Sequence, residues 1–417
     1  SLARLNSSLQ KIGSKLYIFS GSTSDVFNKL IASYRIDAVY WNRRYEPTVI
    51  KRDTALKDSL RQKGITVESF NGSLLTEPWD GCKADKSPYL VYTPYMKSLL
   101  RSLKERECLS SPININTPEL QIGNSLDSLD LLPKIKWDDQ FYKSWKVGES
   151  AAFNTLDVFL DEMISSYDQG RDRPDRVGTS RISPHLAFGE LSPYQIYSAI
   201  KARRFDPNAG VETYIKEIVW REFGYHLLFH YPKTTNQPLR EAFNKFPWKN
   251  DKQLLKAWQE GQTGYPIVDA GMRELWKIGW MHNRVRMIVA SFLVKDLLIP
   301  WQDGAAWFWD TLVDADLASN TLGWQWTAGC GADAAPYFRV FNPTLQGEKF
   351  DPEGEYVRRW VPELAKLPKK WIHRPFDAPK EILDQAGISL GNNYPGPIVE
   401  HGAARDLALE SYKLISK

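Results

Sequence analysis

The hydrophobic period of this chain changes once, and that change limits what it can fold into. Over the first hundred residues, short β-branched or aromatic runs at 16–20, 38–42, 65–70 and 89–93 read as strands. Helical patterns at 25–34 and 47–63 lie between the first three. Strand, helix and strand in repetition predict a parallel α/β unit. From residue 151 a 3.6-residue period takes over, at 153–167, 193–203, 211–229, 254–259, 268–278, 284–298 and 301–313. Between the two regimes, 109–133 is rich in turn formers and has no sustained period. The expected organisation is a Rossmann-like α/β domain at 1–108, a connector at 109–150 and a larger all-α domain at 151–417. A helical pattern at 2–11 has no strand before it, so the first βα unit of the sheet is expected to be missing.

Composition narrows the class. With 42% hydrophobic residues the chain can bury a core, which excludes disorder as its main state. Fifty-four basic against 50 acidic residues leave +4, permitting a nucleic-acid partner without demanding one. The three cysteines, Cys82, Cys108 and Cys330, form no CxxC pair, which predicts a reducing, cytoplasmic setting. No apolar run reaches the ~18 residues of a membrane helix, so no membrane partner is expected, and the chain is expected to be monomeric. One count is unusual: of 16 tryptophans, 12 fall between Trp220 and Trp371.

Four segments of the helical half hold polar and aromatic residues more densely than a core tolerates. In 167–184 a loop punctuated by Gly and Pro carries Arg171, Thr179, Ser180, Arg181 and Ser183 into a helix start. Hydroxyls, backbone N–H groups and arginines suit a phosphate, and a solvated loop has the same composition. In the second segment the offset of three puts Glu217 and Trp220 on one helical face. Such a carboxylate is either a buried acid with a raised pKa or a surface acid beside a core Trp. The third segment carries Trp280, Asn283, Arg284, Arg286 and Met287. The fourth runs from Asp314 through Asn320 to Trp326 and on to Lys349; a pair such as Asp314–Arg286 leaves the Asn320 amide for a ligand. His226 and His230 stand at i, i+4, but no third ligand of suitable spacing follows, so no metal is expected. Neither a Walker A sequence nor GxGxxG is present.

Six stretches together resemble the DNA photolyase/cryptochrome family, and within it the class I cyclobutane pyrimidine dimer photolyases. They are Gly178-Thr-Ser-Arg-Ile-Ser183, Glu217-Ile-Val-Trp-Arg-Glu-Phe223, Gln262-Thr-Gly-Tyr-Pro-Ile-Val-Asp-Ala-Gly-Met272, Gly279-Trp-Met-His-Asn-Arg-Val-Arg-Met287, Trp324-Gln-Trp326 and Phe341-Asn-Pro-Thr-Leu-Gln-Gly-Glu-Lys-Phe-Asp351. Order and spacing match from about residue 150 to the end; the α/β start fits more loosely.

The resemblance implies a helical domain that holds FAD, active when reduced, beneath a surface facing UV-damaged DNA. Tyr167, Thr179, Ser180, Arg181, Ile182 and Ser183 would line its phosphates and ribityl chain. Trp280, Asn283, Arg286, Asp314, Ala315 and Asp316 would surround its ring systems, with Asn320 at flavin N5. Glu217, Trp220, Arg221, Asn283, Arg284, Met287 and Trp326 would form the pocket for a flipped dimer. Arg171, Arg284, Gln346 and Lys349 would contact the DNA backbone or neighbouring bases. Trp324, Trp301 and Trp248 match the family's relay for reducing oxidised flavin. The implied activity is light-driven splitting of cyclobutane pyrimidine dimers by electron transfer from excited FADH⁻, with a blue-light photoreceptor without repair as the alternative. Asn320, Glu217 and Met287 favour the first, and Asn283 and Met287 do not supply the histidine pair of (6-4) photolyases. Two positions depart from the pattern. Tyr214 stands where a Trp is usual, and Val49 holds the position of the glutamate in folate-binding members. The antenna chromophore is therefore unknown, with folate disfavoured and a deazaflavin or none remaining.

Overall fold

The computed structural model describes residues 1–337 and 339–416. The N-terminal part opens with helix α1 (Leu2–Lys11), which buries no residue, and α2 (Thr23–Ser33). The Ser22 hydroxyl caps α2 by accepting the Asp25 N–H at 3.2 Å. Strand β1 (Ala38–Asn42) runs parallel to β2 (Thr66–Phe70), with Val39 opposite Val67. Helix α3 (Pro47–Gln62) joins them, its proline in the first turn where a missing N–H costs nothing. Leu56 and Leu60 on α3 pack against Ile65 and Val67 beneath the sheet.

Two of the four expected strands do not form. The run at 16–20 keeps one antiparallel bridge, Ile18 to Asn124, because its partner comes from the connector. The aromatic run at 89–93 instead leads into helix α4 (Tyr92–Ser102). Tyr92, Tyr95 and Leu99 recur at i, i+3 and i+7 and bury one face of α4. A short aromatic run satisfies both periods, and here tertiary packing decides between them.

Residues 103–123 carry no helix or strand, and α5 (Asp139–Ser144) follows. The helical part then comprises α6 (Glu149–Glu162), α7 (Tyr167–Gly170), α8 (Ser183–Ala187), α9 (Pro193–Arg203), α10 (Ala209–His230) and α11 (Lys252–Gln259). It continues with α12 (Pro266–Ile278), α13 (Asn283–Ser291), α14 (Trp301–Thr311), α15 (Leu317–Ala328), α16 (Pro343–Phe350), α17 (Glu355–Trp360), α18 (Lys380–Ala386) and α19 (His401–Ile415). The helix expected at 284–298 is interrupted. After Ser291 the chain makes one π turn, Phe292–Asp296. That turn buries Lys295 and Asp296, whose polar ends reach the Arg339 carbonyl (2.9 Å) and His401 on α19 (2.5 Å).

Helix α10 is buried at every residue from Glu222 to Leu228 and packs on α4, α7 and α15. One core lies around α4, α6, α9 and α10; a second is built by α11 to α19. Each fully buried Leu, Ile or Phe in them contributes about 1.5–3 kcal/mol. The candidate site residues divide between the cores: Tyr167, Ile182 and Trp220 pack with the first, Trp248, Trp301 and Trp324 with the second.

Candidate functional site

The loop after α7 is cinched by glycines. A Cβ on Gly178 would lie 2.6 Å from the Gly170 carbonyl oxygen, so only glycine lets the two backbones meet and present 179–183 as one turn. Arg181 follows in the left-handed region at φ 51°. Its guanidinium lies between two indoles, 4.7 Å over Trp145 and 4.8 Å over Trp280. Its Nε and Nη2 are buried without a hydrogen-bond partner among the described residues. Burial pushes its pKa down, while Glu274 nearby pulls it up. Trp280 donates its Nε1–H to the Ser183 hydroxyl at 3.3 Å, and Tyr167 is buried edge-on to Tyr214. Helix α8 has only five residues, so hydroxyls and Arg181, rather than a helix dipole, are what this turn offers an anion. The Ile182 side chain lies in the core at 1% exposure, which leaves only its backbone for a ligand.

Below the turn, Asp314 accepts two hydrogen bonds from Arg286 Nη2, at 3.1 Å to Oδ1 and 2.8 Å to Oδ2. Asn320 on α15 donates Nδ2–H to the Ala305 carbonyl at 2.9 Å, which orients its Oδ1 as an acceptor. Asp316 caps α15 through the Ser319 N–H (2.7 Å) and takes the Tyr225 hydroxyl, with Ala315 leading into it. Trp324 packs its ring on Gly304 of α14, where a Cβ would come within 2.0 Å. Trp301, one turn earlier on α14, is 1% exposed, and Trp248 packs on the same core. The indole nearest Trp324 by ring centroid is Trp258 at 6.2 Å, which is not one of the three expected relay residues.

The cluster expected to face DNA is held by charge. Arg171 pairs with Glu217 on α10, and Asp172 holds Arg284 on α13, Oδ1 accepting Nε (3.1 Å) and Nη2 (2.7 Å). Burial pushes the Glu217 carboxyl above its ordinary range, against the pull of Arg171. Arg284 Nη1 lies 3.6 Å from Met287 Sδ, and its guanidinium sits 4.5 Å over Phe350 of α16. That contact brings Gln346 and the exposed Lys349 to the same rim as Arg284, while Asn283 is exposed at the start of α13. Trp326 is half-buried on α15. Trp220 stacks on Tyr92 at 3.7 Å and 3°, so one of its faces is already covered. Sequence reasoning missed Tyr92 because it placed the residue in a strand.

Arg221 does not join this cluster. One residue on from Trp220 it faces another side of α10, donates to the Ser73 carbonyl (2.6 Å) and lies 4.7 Å over Tyr225. With the adjacent Glu222, which accepts the Leu75 N–H at 2.8 Å, it fastens the 73–76 segment to α10. The histidine pair also reads differently in three dimensions. Cys82, from the N-terminal part, supplies a third potential ligand within 4.8 Å of His226 and His230. Both His226 nitrogens are engaged, Nδ1 with the Pro78 carbonyl (3.1 Å) and Nε2 with the Tyr89 N–H (3.0 Å), so hydrogen bonding accounts for its burial without an ion. Nearby, a cavity of about 180 Å³ is lined by Trp41, Arg43, Arg44, Lys57, Ser69 and Trp79.

The fold defines a chain whose helical half gathers an arginine-and-hydroxyl turn, the Trp280 indole, the Arg286–Asp314 pair and a cluster of paired charges. A model of the DNA photolyase domain matches residues 1–114, and a model of the FAD binding domain of DNA photolyase matches residues 214–414. The deoxyribodipyrimidine photo-lyase of Agrobacterium fabrum is 50% identical over 420 residues, covering 100% of this chain and 88% of the relative. Cryptochrome-1 of Arabidopsis thaliana is 39% identical over 96% of this chain and 60% of its own length. The crystal structure of a bacterial class III photolyase from Agrobacterium tumefaciens superposes with a TM-score of 0.96 at 50% identity, over 100% of this chain and 87% of that one. The chain belongs to the DNA photolyase/cryptochrome family. The class I resemblance is not supported, since the structure at 50% identity is of a class III enzyme.

The helical half is an FAD-binding domain, and its residues fit the group. Arg181 keeps two buried N–H donors without a partner among the described residues, as an anion such as a pyrophosphate would take, and Thr179, Ser180 and Ser183 stand on the same turn. The Asn320 Oδ1 is an acceptor, as a ring N–H requires. No described helix is long and apolar enough to cross a membrane.

Proposed function

We propose that this chain is a light-driven DNA repair enzyme that splits cyclobutane pyrimidine dimers, and that it stands with the class III photolyases. The observation that carries the reading is Glu217. It is a half-sheltered carboxyl with a raised pKa, set beside Arg171 and one turn from the Trp220 indole. Bound and reduced, FAD supplies the light-excited electron donor. The chain supplies the rest. The free face of Trp220, with Trp326, stacks the extruded bases, each stacking contact worth about 1–3 kcal/mol. Glu217, whose burial favours the neutral carboxyl against the pull of Arg171, would in that form donate its O–H to a pyrimidine carbonyl where negative charge develops. Arg286, held by Asp314, and the oriented Asn320 fix the cofactor's rings, while Thr179, Ser180, Arg181 and Ser183 hold its phosphates. Asn283 and Met287 border the lesion, and Arg171, Arg284, Gln346 and Lys349 address the strand. Trp324, Trp301 and Trp248 pass electrons inward from the surface when the cofactor is oxidised.

The cavity between Trp41 and Trp79 is a candidate antenna site, lined by the two indoles, Arg43, Arg44, Lys57 and Asp53. The test of the repair reading is illumination of the reduced, FAD-loaded protein with an oligonucleotide carrying one thymine dimer. Thymine absorbance returns in blue light and not in darkness if the reading holds. A protein that photoreduces normally yet restores nothing is a photoreceptor instead.

A further inference from the structure

Asp172 has no role in the machinery described so far, yet it holds the arrangement of the rim together. Its side chain is 37% exposed on the loop after α7. Its Oδ1 takes both Nε and Nη2 of Arg284, at 3.1 and 2.7 Å, and lies 3.9 Å from Arg171 Nε. Glu217 and Asp172 thus alternate with Arg171 and Arg284 along the rim. Met287 and Phe350 fix the far side of the Arg284 guanidinium.

We propose that Asp172 is a specificity-determining positioning residue that keeps Arg284 neutralised until a lesion is seated. The inference rests on the repair reading and names a residue that the reading does not use. An unpaired arginine on a DNA-facing rim attracts any phosphate, damaged strand or not, and each phosphate so neutralised adds about 0.9 to the slope of affinity against salt. Paired with Asp172, Arg284 meets a phosphate only by giving up a charge-assisted hydrogen bond. A passing undamaged duplex does not hold its phosphates there long enough to compete. A nucleotide seated against Trp220 presents its flanking phosphate at high effective concentration, and the exchange then proceeds. Asp172 therefore subtracts more from undamaged than from damaged binding.

The experiment measures binding of an undamaged duplex and of a single-dimer duplex across a salt series. It compares the FAD-loaded wild type, Asp172→Asn, Arg284→Gln and the double variant. Asp172→Asn is expected to raise affinity for undamaged duplex about tenfold, to steepen its salt slope by about one, and to lower the ratio of damaged to undamaged affinity. In the Arg284→Gln background the same substitution is expected to change neither duplex, because its effect passes through Arg284. Equal weakening of both duplexes by Asp172→Asn, or a gain that persists without Arg284, would overturn the proposal. A wild-type protein that binds both duplexes alike overturns the repair reading itself, and the proposal with it.

Discussion

At the scale of single residues, chemistry depends on which side of a helix a group faces. Glu217, Trp220 and Arg221 lie within five residues, yet the first two look toward the charged rim and the third is spent on the Ser73 carbonyl. Replacing Glu217 with Ala removes one hydrogen bond to a developing charge, worth about 1.5–3 kcal/mol. Repair yield per absorbed photon is expected to fall at least roughly twofold, with FAD content unchanged; quantum-yield measurement on the reduced variant decides it. Arg221→Ala is expected to act differently. It lowers the unfolding temperature and leaves the salt slope of DNA binding as in wild type, which parallel melting and binding series check. Identity of these residues was legible in the sequence, because motif text carries it. Their partners were not: Arg171, Tyr92 and Ser73 reach Glu217, Trp220 and Arg221 from elements distant in sequence.

At the scale of elements, helices were read well where the period ran long, save for the π turn that ends α13, and strands poorly where a run of five residues, two of them aromatic, fits two periods. Helix α9 has the bounds its pattern predicts, 193–203, secured by the Ser192–Gln195 capping box. Tyr92 to Leu99 went to a helix because α10 offered a face to bury against. The contact of α14 with α15 shows what such packing positions. With no Cβ on Gly304, the Trp324 ring closes directly on α14. Gly304→Ala is expected to cost about 1–3 kcal/mol of stability and to displace Trp324, slowing photoreduction of oxidised FAD. Trp324→Phe leaves the packing closer to intact and is expected to slow photoreduction while sparing repair by chemically reduced protein. Flash photolysis with and without a chemical reductant separates the two, and normal photoreduction in Trp324→Phe would remove it from the relay.

At the scale of the whole molecule, buried carboxyls tie the N-terminal part to the helices and make stability depend on pH. Glu222, fully buried, is pushed up to about 7 from an ordinary 4.5, chiefly by burial. Its folded state therefore keeps a proton that the unfolded chain has shed between about 4.5 and 7, so its contribution to stability falls as pH rises through that window. Buried His226, His282 and His373, lowered to about 4, act in the opposite sense below 6.5. The informative quantity is thus a difference. The melting temperature of Glu222→Gln minus that of wild type is expected to rise from pH 5 to pH 8, and a constant difference would refute the raised pKa. None of this was legible in the sequence, where Glu222 is one acid among 50 acidic residues; only the 73–76 segment folding over α10 removes it from water.

The FAD-binding domain lies in the helical half, and the proposed account gives tryptophans between Trp220 and Trp371 the walls of the lesion pocket and the electron relay. The most direct test of that account is one difference spectrum. The reduced, FAD-loaded protein, mixed with an oligonucleotide carrying one thymine dimer, is expected to restore thymine absorbance under blue light, in proportion to photons absorbed, and to restore none in darkness. Reduced protein with full FAD content that binds the oligonucleotide yet restores no absorbance in light would contradict it.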